Sequence, residues 1–293
     1  MSLADQLTPS ALAVELGLLV NRIRGITGLD IVPMIVVEGD ADNSALSPVC
    51  RLGSDGVFVA GGRTHVEQLL SHLRREPIDG CECVFLIDCD GQGKTENLRE
   101  DGSLLVTETC DLEADLVHLG VATRLIARFL PDPAQAAVMI DRACDLAVVI
   151  SVVRRAAHAT SVRMKHPNGR QLRLGDLPGE EIEHWERTTP ASSEVLPVIA
   201  DALDWSPVEI DRVSSQITSI DADFGRTCMG KDALDALHRL LSSEGPGEVR
   251  GWSCEHFHKE VFAELGQQDL AGWEVGRRLA AWQVNAGHEL LKP

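Results

Sequence analysis

The chain contains no tyrosine among its 293 residues, which excludes a reaction that depends on a tyrosine nucleophile of its own. It also has no apolar run long enough to cross a bilayer, because the most apolar stretch, residues 136–157, is interrupted by Asp141, Arg142 and Asp145. The first residues, MSLADQLTPSALAVELG, have no basic stretch before an apolar run and do not resemble a secretory signal. We therefore expect a cytoplasmic protein with no membrane segment.

A pairing motif of the C-x-x-C kind is absent as well, although the chain has eight cysteines. Several cysteines lie in apolar runs, as in CECVFLIDCD (residues 81–90), which is typical of reduced and buried thiols. The alternative is a zinc site formed by Cys254, His256 and His258 in WSCEHFHKE. Its spacing matches no standard zinc motif.

Positive charge is scarce, and the formal net charge is −18. Such a charge opposes nucleic-acid binding unless basic residues are concentrated locally. Residues 146–175 contain no Asp or Glu, so a nucleic-acid-binding surface is predicted there, and a solvated helix end with a hairpin is the alternative. The predicted nucleic-acid-binding residues are Arg154, Arg155, Arg163, Lys165, Arg170 and Arg173.

Apolar runs that are typical of buried strands alternate with helical patterns in the first part of the chain. The runs are DIVPMIVV (30–37), GVFVAGG (56–62), CVFLI (83–87) and LLVTE (104–108). This order predicts an α/β fold with a Rossmann-like parallel sheet flanked by helices. Residues 111–130 are predicted to form one helix.

The second part of the chain is predicted to be mainly helical, with a β-hairpin at residues 161–174 around Pro167-Asn168-Gly169. We therefore predict two domains, residues 1–130 and residues 131–293.

Acidic residues stand where the predicted strands end, and ligands of open parallel sheets collect at the carboxyl ends of the strands. Glu38 follows the first strand, and Asp88 and Asp90 follow the third. Carboxylate oxygens are the ligands that Mg²⁺ and Mn²⁺ prefer, so these three residues predict a metal site. Asp42 and Glu113 could support a second ion.

These residues resemble the Toprim domain of topoisomerases, bacterial primases and OLD-type nucleases. The likeness rests on IVVEGDAD (35–42) and VFLIDCDG (84–91), and it extends to TETCDLEADLV (107–117) and GKDALDALHRLL (230–241). The resemblance implies a Toprim-like sheet. It also implies that Glu38 is a metal ligand or general acid/base.

The same resemblance assigns roles to the other acidic residues and to one lysine. It implies that Asp42, Asp88, Asp90 and Glu113 are metal ligands, and that Lys231 is a catalytic contact to phosphate. An ordinary first-turn position on a helix is the alternative for Glu113 and for Lys231.

Within that family, the missing tyrosine excludes a self-sufficient topoisomerase, and the chain shows neither the zinc-binding module nor the helicase-binding region of a replicative primase. The resemblance therefore implies a metal-dependent endonuclease that uses Mg²⁺ or Mn²⁺ and acts on DNA or RNA. Its closest likeness is to stand-alone nucleases of bacterial anti-phage defence. That likeness implies a homo-oligomer and a partner sensor or ATPase.

Two other functions stay open. One is a non-catalytic Toprim-like module that binds a partner protein or nucleic acid. The other is a nucleotide-hydrolysing enzyme that uses Gly93-Lys94-Thr95 as a P-loop, although Asp88 stands where that motif requires glycine.

Overall fold

The computed structural model describes residues 8–89, 102–166, 172–188, 190–217, 220 and 229–292. The chain divides into two compact units: Met1–Asp115 together with Lys259–Pro293, and Leu116–His258. The predicted division had one boundary, at residue 130. In the structure the first boundary follows Asp115, and the C-terminal segment from Lys259 onward belongs to the same unit as the sheet. Asp90, Arg170 and the P-loop-like residues 93–95 lie outside the described residues.

The first unit contains a four-stranded parallel sheet with the strand order β2-β1-β3-β4, and the α/β prediction is confirmed. Its central strand β1 is buried along its whole length, as its consecutive apolar residues predicted. The strands are β1 Val32–Val37, β2 Val57–Val59, β3 Cys81–Ile87 and β4 Leu104–Val106.

Helices α1 and α3 supply the apolar layer that covers this sheet. Leu16 and Val20 of α1 and Leu69 of α3 lie in one core cluster with residues of β1 and β3. The Thr8 hydroxyl caps α1 by accepting from the Ala11 N–H at 3.2 Å. The helices of this unit are α1 Pro9–Thr27, α2 Asp40–Leu46, α3 Arg63–Leu73, α13 Gln267–Leu270 and α14 Glu274–Ala286.

The second unit is helical and is organised around α6, which contacts α5, α7, α8, α9 and α10. The helices after β4 and before α13 are α4 Leu112–His118, α5 Val121–Ala127, α6 Ala134–Ala159, α7 Gly179–Thr188, α8 Ser192–Ala202, α9 Pro207–Ile217, α10 Gly230–Glu244, α11 Gly247–Arg250 and α12 Cys254–Ala263.

The prediction of one helix over residues 111–130 is wrong, because the chain breaks between α4 and α5. Gly120 lies at the break with φ +73°, a left-handed conformation that suits glycine and ends the first helix.

Across the predicted hairpin, the Leu172 N–H donates to the Met164 carbonyl oxygen at 3.2 Å. The hairpin's tip, residues 167–171, lies outside the described residues. None of the described helices combines the length and apolar character that crossing a membrane requires.

Candidate metal centre

Glu38 and Asp88 meet at the carboxyl end of the sheet, because each is the first residue after one of two paired parallel strands. The Asp88 backbone N–H donates to Glu38 Oε1 at 2.9 Å. Both side chains are half-buried. The structure thus brings together the acidic residues that follow β1 and β3, which are 50 positions apart in sequence.

The Asp88 carboxylate also contacts the start of α4. Its Oδ1 accepts from the Leu112 N–H at 3.3 Å, which places the first turn of α4 beside the residue that follows β3. Glu113 lies in that turn and is only 1% exposed. The backbone at the start of α4 thus lies beside Asp88, but in this structure the carboxylates of Glu38, Asp88 and Glu113 are not close enough to one another to share one ion.

A glycine turn fixes the backbone on the other side of Glu38. The N–H groups of Gly61 and Gly62 donate to the Glu38 carbonyl oxygen at 3.1 and 2.8 Å. Both glycines have positive φ, +86° and +125°, and other residues adopt such a backbone only with strain. The turn leads directly into α3.

Arg63, the first residue of α3, is a cation near the centre that sequence reasoning missed. Its Nη1 donates to the Asp88 carbonyl oxygen at 3.3 Å, and its Nε pairs with Glu67 at 3.0 Å. The signal in the sequence was its position directly after the Gly61-Gly62 pair that ends the β2 segment. A cation held at this edge of the sheet can contact an anionic substrate.

Asp42 is buried and turned toward the backbone of the loop that follows β1. Its Oδ2 accepts from the Gly39 N–H at 2.8 Å, which is the arrangement of a helix cap at the start of α2. In this conformation Asp42 stabilises the loop that carries Glu38.

Two other carboxylates of the acidic segment have structural contacts. Asp111 caps α4 by accepting from the Ala114 N–H at 2.8 Å. Asp115 accepts from the N–H groups of Glu108 and Thr109 at 3.2 and 2.9 Å, and so orders the loop after β4. Asp111 and Asp115 therefore have structural roles, whereas the role predicted for Glu113 is metal binding.

The remaining predicted site residue in the described chain, Lys231, lies in the first turn of α10, in the second unit. Among the described ranges, one group of three side chains has ligand atoms close enough to share an ion, and it lies in the second unit: Asp235, Cys254 and His258. The metal set predicted from the sequence also includes Asp90, which those ranges omit.

The predicted basic surface divides into two kinds of residue. Arg154 points into the second unit, where its Nε and Nη2 lie 2.9 and 3.0 Å from the carboxylate of buried Asp232. Burial raises the pKa of Asp232, and the charge and hydrogen bonds of Arg154 offset part of this rise.

Of the other predicted nucleic-acid-binding residues, Arg155 is half-buried. The exposed members are Arg163, Lys165 and Arg173.

Comparison of the chain with models of protein families, with curated protein sequences and with solved structures finds no match. The resemblance to Toprim domains therefore rests on the motif residues.

Proposed function

We propose that the chain is a divalent-metal-dependent nuclease of the Toprim type, with its centre at Glu38 and Asp88. The observation that carries this proposal is the hydrogen bond from the Asp88 N–H to Glu38 Oε1, 2.9 Å, at the ends of two adjacent parallel strands. An acidic residue that follows a strand often only caps the next helix, so its position alone is weak support for a metal site. Here the two acidic residues are in direct contact, because the Asp88 N–H donates to the Glu38 carboxylate.

The donor set suits a hard divalent cation. Glu38 and Asp88 are half-buried residues that offer carboxylate oxygens, and Glu113 and Asp90 are the proposed additions. An Mg²⁺ or Mn²⁺ ion held by these residues would activate water and neutralise charge on a phosphodiester. Glu38 would accept the proton of the attacking water, and Arg63 would contact the phosphate oxygens.

The substrate proposed from the resemblance is DNA or RNA, in a cytoplasmic role in anti-phage defence with a partner sensor or ATPase. The basic surface proposed to bind the nucleic-acid backbone now consists of exposed Arg163, Lys165 and Arg173 and half-buried Arg155, with Arg170 added from the sequence. Arg154 is left out, because its guanidinium is occupied by Asp232.

The test is cleavage of single- and double-stranded DNA and RNA by the purified full chain with Mg²⁺ or Mn²⁺. Glu38→Gln and Asp88→Asn should each reduce cleavage by at least about 100-fold, the lower range for loss of a general base. Nucleic-acid binding should be largely retained. Asp79→Asn is the matched control, because the Asp79 side chain is fully exposed and lies before the first residue of β3, whereas Asp88 follows the last residue of that strand. Full activity of both site variants would refute the proposal.

A second candidate, a non-catalytic Toprim-like module, is favoured by the net charge of −18 and by the use of Arg154 inside the second unit. It differs from the nuclease in one outcome: Glu38→Gln would leave biological activity unchanged.

The P-loop hypothesis is tested by Lys94→Ala, whose position lies outside the described residues. Loss of nucleotide binding in Lys94→Ala, with nuclease activity absent from the wild type, would favour that hypothesis.

A further inference from the structure

Three side chains of the second unit bring a sulfur, a nitrogen and an oxygen atom to one point. Cys254 Sγ lies 2.9 Å from Asp235 Oδ1 and 3.5 Å from His258 Nε2. His258 Nε2 lies 3.0 Å from the same Asp235 oxygen. The three atoms thus form a triangle of a size that one metal ion can bridge.

The helices explain why these residues meet. Cys254 and His258 are four positions apart on α12, so they lie on one face of that helix. Asp235 extends from α10 and is almost fully buried, with a side chain only 6% exposed, and the His258 side chain is 13% exposed. Side chains with so little exposure are held by packing, which preorganises a ligand set.

The contacts differ from those of a catalytic relay. In a Cys-His-Asp relay the imidazole uses one ring nitrogen for the nucleophile and the other for the carboxylate. Here Cys254 and Asp235 both contact Nε2 of His258. Convergence of all three donor atoms on a single point is the arrangement of metal ligands.

We propose that Asp235, Cys254 and His258 form a Zn²⁺ site with one open coordination position. Zn²⁺ is bound by thiolate, imidazole and carboxylate ligands, and sites with three protein ligands leave the fourth position to water. A cavity of about 550 Å³ is lined by Asp235 and Cys254 and also by Arg173 and Glu183. It gives water or a small anionic ligand access to that position.

Binding Zn²⁺ displaces one proton from the site. The Cys254 thiol donates its hydrogen to Asp235 in the metal-free arrangement, so the proton must leave to solvent when the thiolate–metal bond forms. Zn²⁺ affinity should therefore increase with pH.

His256 belongs to a different environment, although it lies between the two ligands of α12. It is exposed, and its ring packs edge-on against Trp252 at a centroid distance of 4.9 Å. The structure thus replaces the His256 of the zinc site considered from the sequence with Asp235. His256→Gln is consequently a matched control on the same helix.

The experiment is a titration of the chelator-treated full chain with Co²⁺, followed by competition with Zn²⁺ and a chromophoric chelator. A thiolate-to-cobalt charge-transfer band should saturate at one equivalent and disappear on adding Zn²⁺. Cys254→Ser should abolish the band. Asp235→Asn and His258→Gln should weaken Zn²⁺ binding by more than about tenfold, the loss that even outer-shell partners of a ligand cause. His256→Gln and Glu38→Gln should leave binding unchanged.

Absence of the band at one equivalent, or its persistence in Cys254→Ser, would overturn the proposal. So would loss of binding in His256→Gln with binding retained in Asp235→Asn. The open position has its own test, because imidazole added to the cobalt-loaded chain should shift the cobalt d–d bands. An unchanged spectrum at saturating imidazole would refute that position. The thiolate band depends on Cys254, so failure here is distinguishable from failure of the Glu38–Asp88 centre.

Discussion

The indole N–H of Trp273 donates to the carboxylate of Asp115 at 2.8 Å, and it links residues 158 positions apart inside the first unit. Both side chains are buried. Because Asp115 also orders Glu108 and Thr109 in the loop after β4, the hydrogen bond connects the C-terminal segment to the carboxyl edge of the sheet.

Removing this hydrogen bond should destabilise the protein. Trp273→Phe leaves a buried carboxylate oxygen with one donor fewer, so the free energy of unfolding should fall by about 1–3 kcal/mol, in addition to the smaller ring's lost packing. Urea denaturation measures the change.

Trp205→Phe is the matched control, since the Trp205 indole donates to the Arg163 carbonyl oxygen at an exposed position. It should cost less than Trp273→Phe. Equal losses in the two variants would show that the buried carboxylate has no special dependence on Trp273.

The Arg154–Asp232 pair should contribute far more than an exposed pair. The two side chains are 11% and 2% exposed, so Arg154→Met leaves a buried carboxylate without its cation and should cost about 3–5 kcal/mol.

The exposed pair Arg142–Glu244 offers the comparison, and Arg142→Met should cost less than about 1 kcal/mol. Chemical denaturation of both variants checks the difference. Equal stability of Arg154→Met and Arg142→Met would show that the buried Asp232 carboxylate does not depend on Arg154.

The Cys254 thiol should react slowly with alkylating reagents in the folded, metal-free chain. Its pKa is raised, so the folded state holds the thiol proton and the reactive thiolate is scarce near pH 8. The rate should still be rising at pH 9, where an ordinary thiol with a pKa of about 8.5 is levelling off.

Asp235→Asn removes a negative charge beside the sulfur, so it should lower the pKa of Cys254 and accelerate alkylation at pH 8. Iodoacetamide labelling with peptide mass spectrometry measures the rate at Cys254 separately from other cysteines. A slower rate in Asp235→Asn would contradict the assigned cause of the shift.

Mg²⁺ or Mn²⁺ should raise the melting temperature, because a cation relieves repulsion among clustered carboxylates and binds only the folded state. At 100 times the dissociation constant the stabilisation should be about 2.7 kcal/mol. Scanning calorimetry measures it, and Glu38→Gln should remove most of the effect. Equal stabilisation of wild type and Glu38→Gln would place the bound ion elsewhere.

The parallel sheet could be predicted because its signals are local. Consecutive apolar residues in β1 indicated a strand buried on both faces, and Glu38 stood directly after it. Because β1 and β3 are parallel neighbours, Glu38 and Asp88 lie at the same edge of the sheet. Open parallel sheets bind their ligands at that edge.

What could not be predicted depends on contacts between distant residues. No local sequence pattern indicates that Trp273 contacts Asp115. The sequence therefore did not predict that residues 259–293 belong to the first unit. Asp235 was likewise overlooked as a partner of Cys254, because the two lie on separate helices. Arg154 was assigned to a surface because charge alone does not show that Asp232 is buried opposite it.

Anomalous diffraction from a crystal soaked in Mn²⁺ would locate an ion bound at Glu38 and Asp88. The result expected is an anomalous difference peak within coordination distance of carboxylate oxygens of both residues. A fully Mn²⁺-saturated crystal with no peak there, or with peaks only at other carboxylates, would show that Glu38 and Asp88 do not form a metal centre.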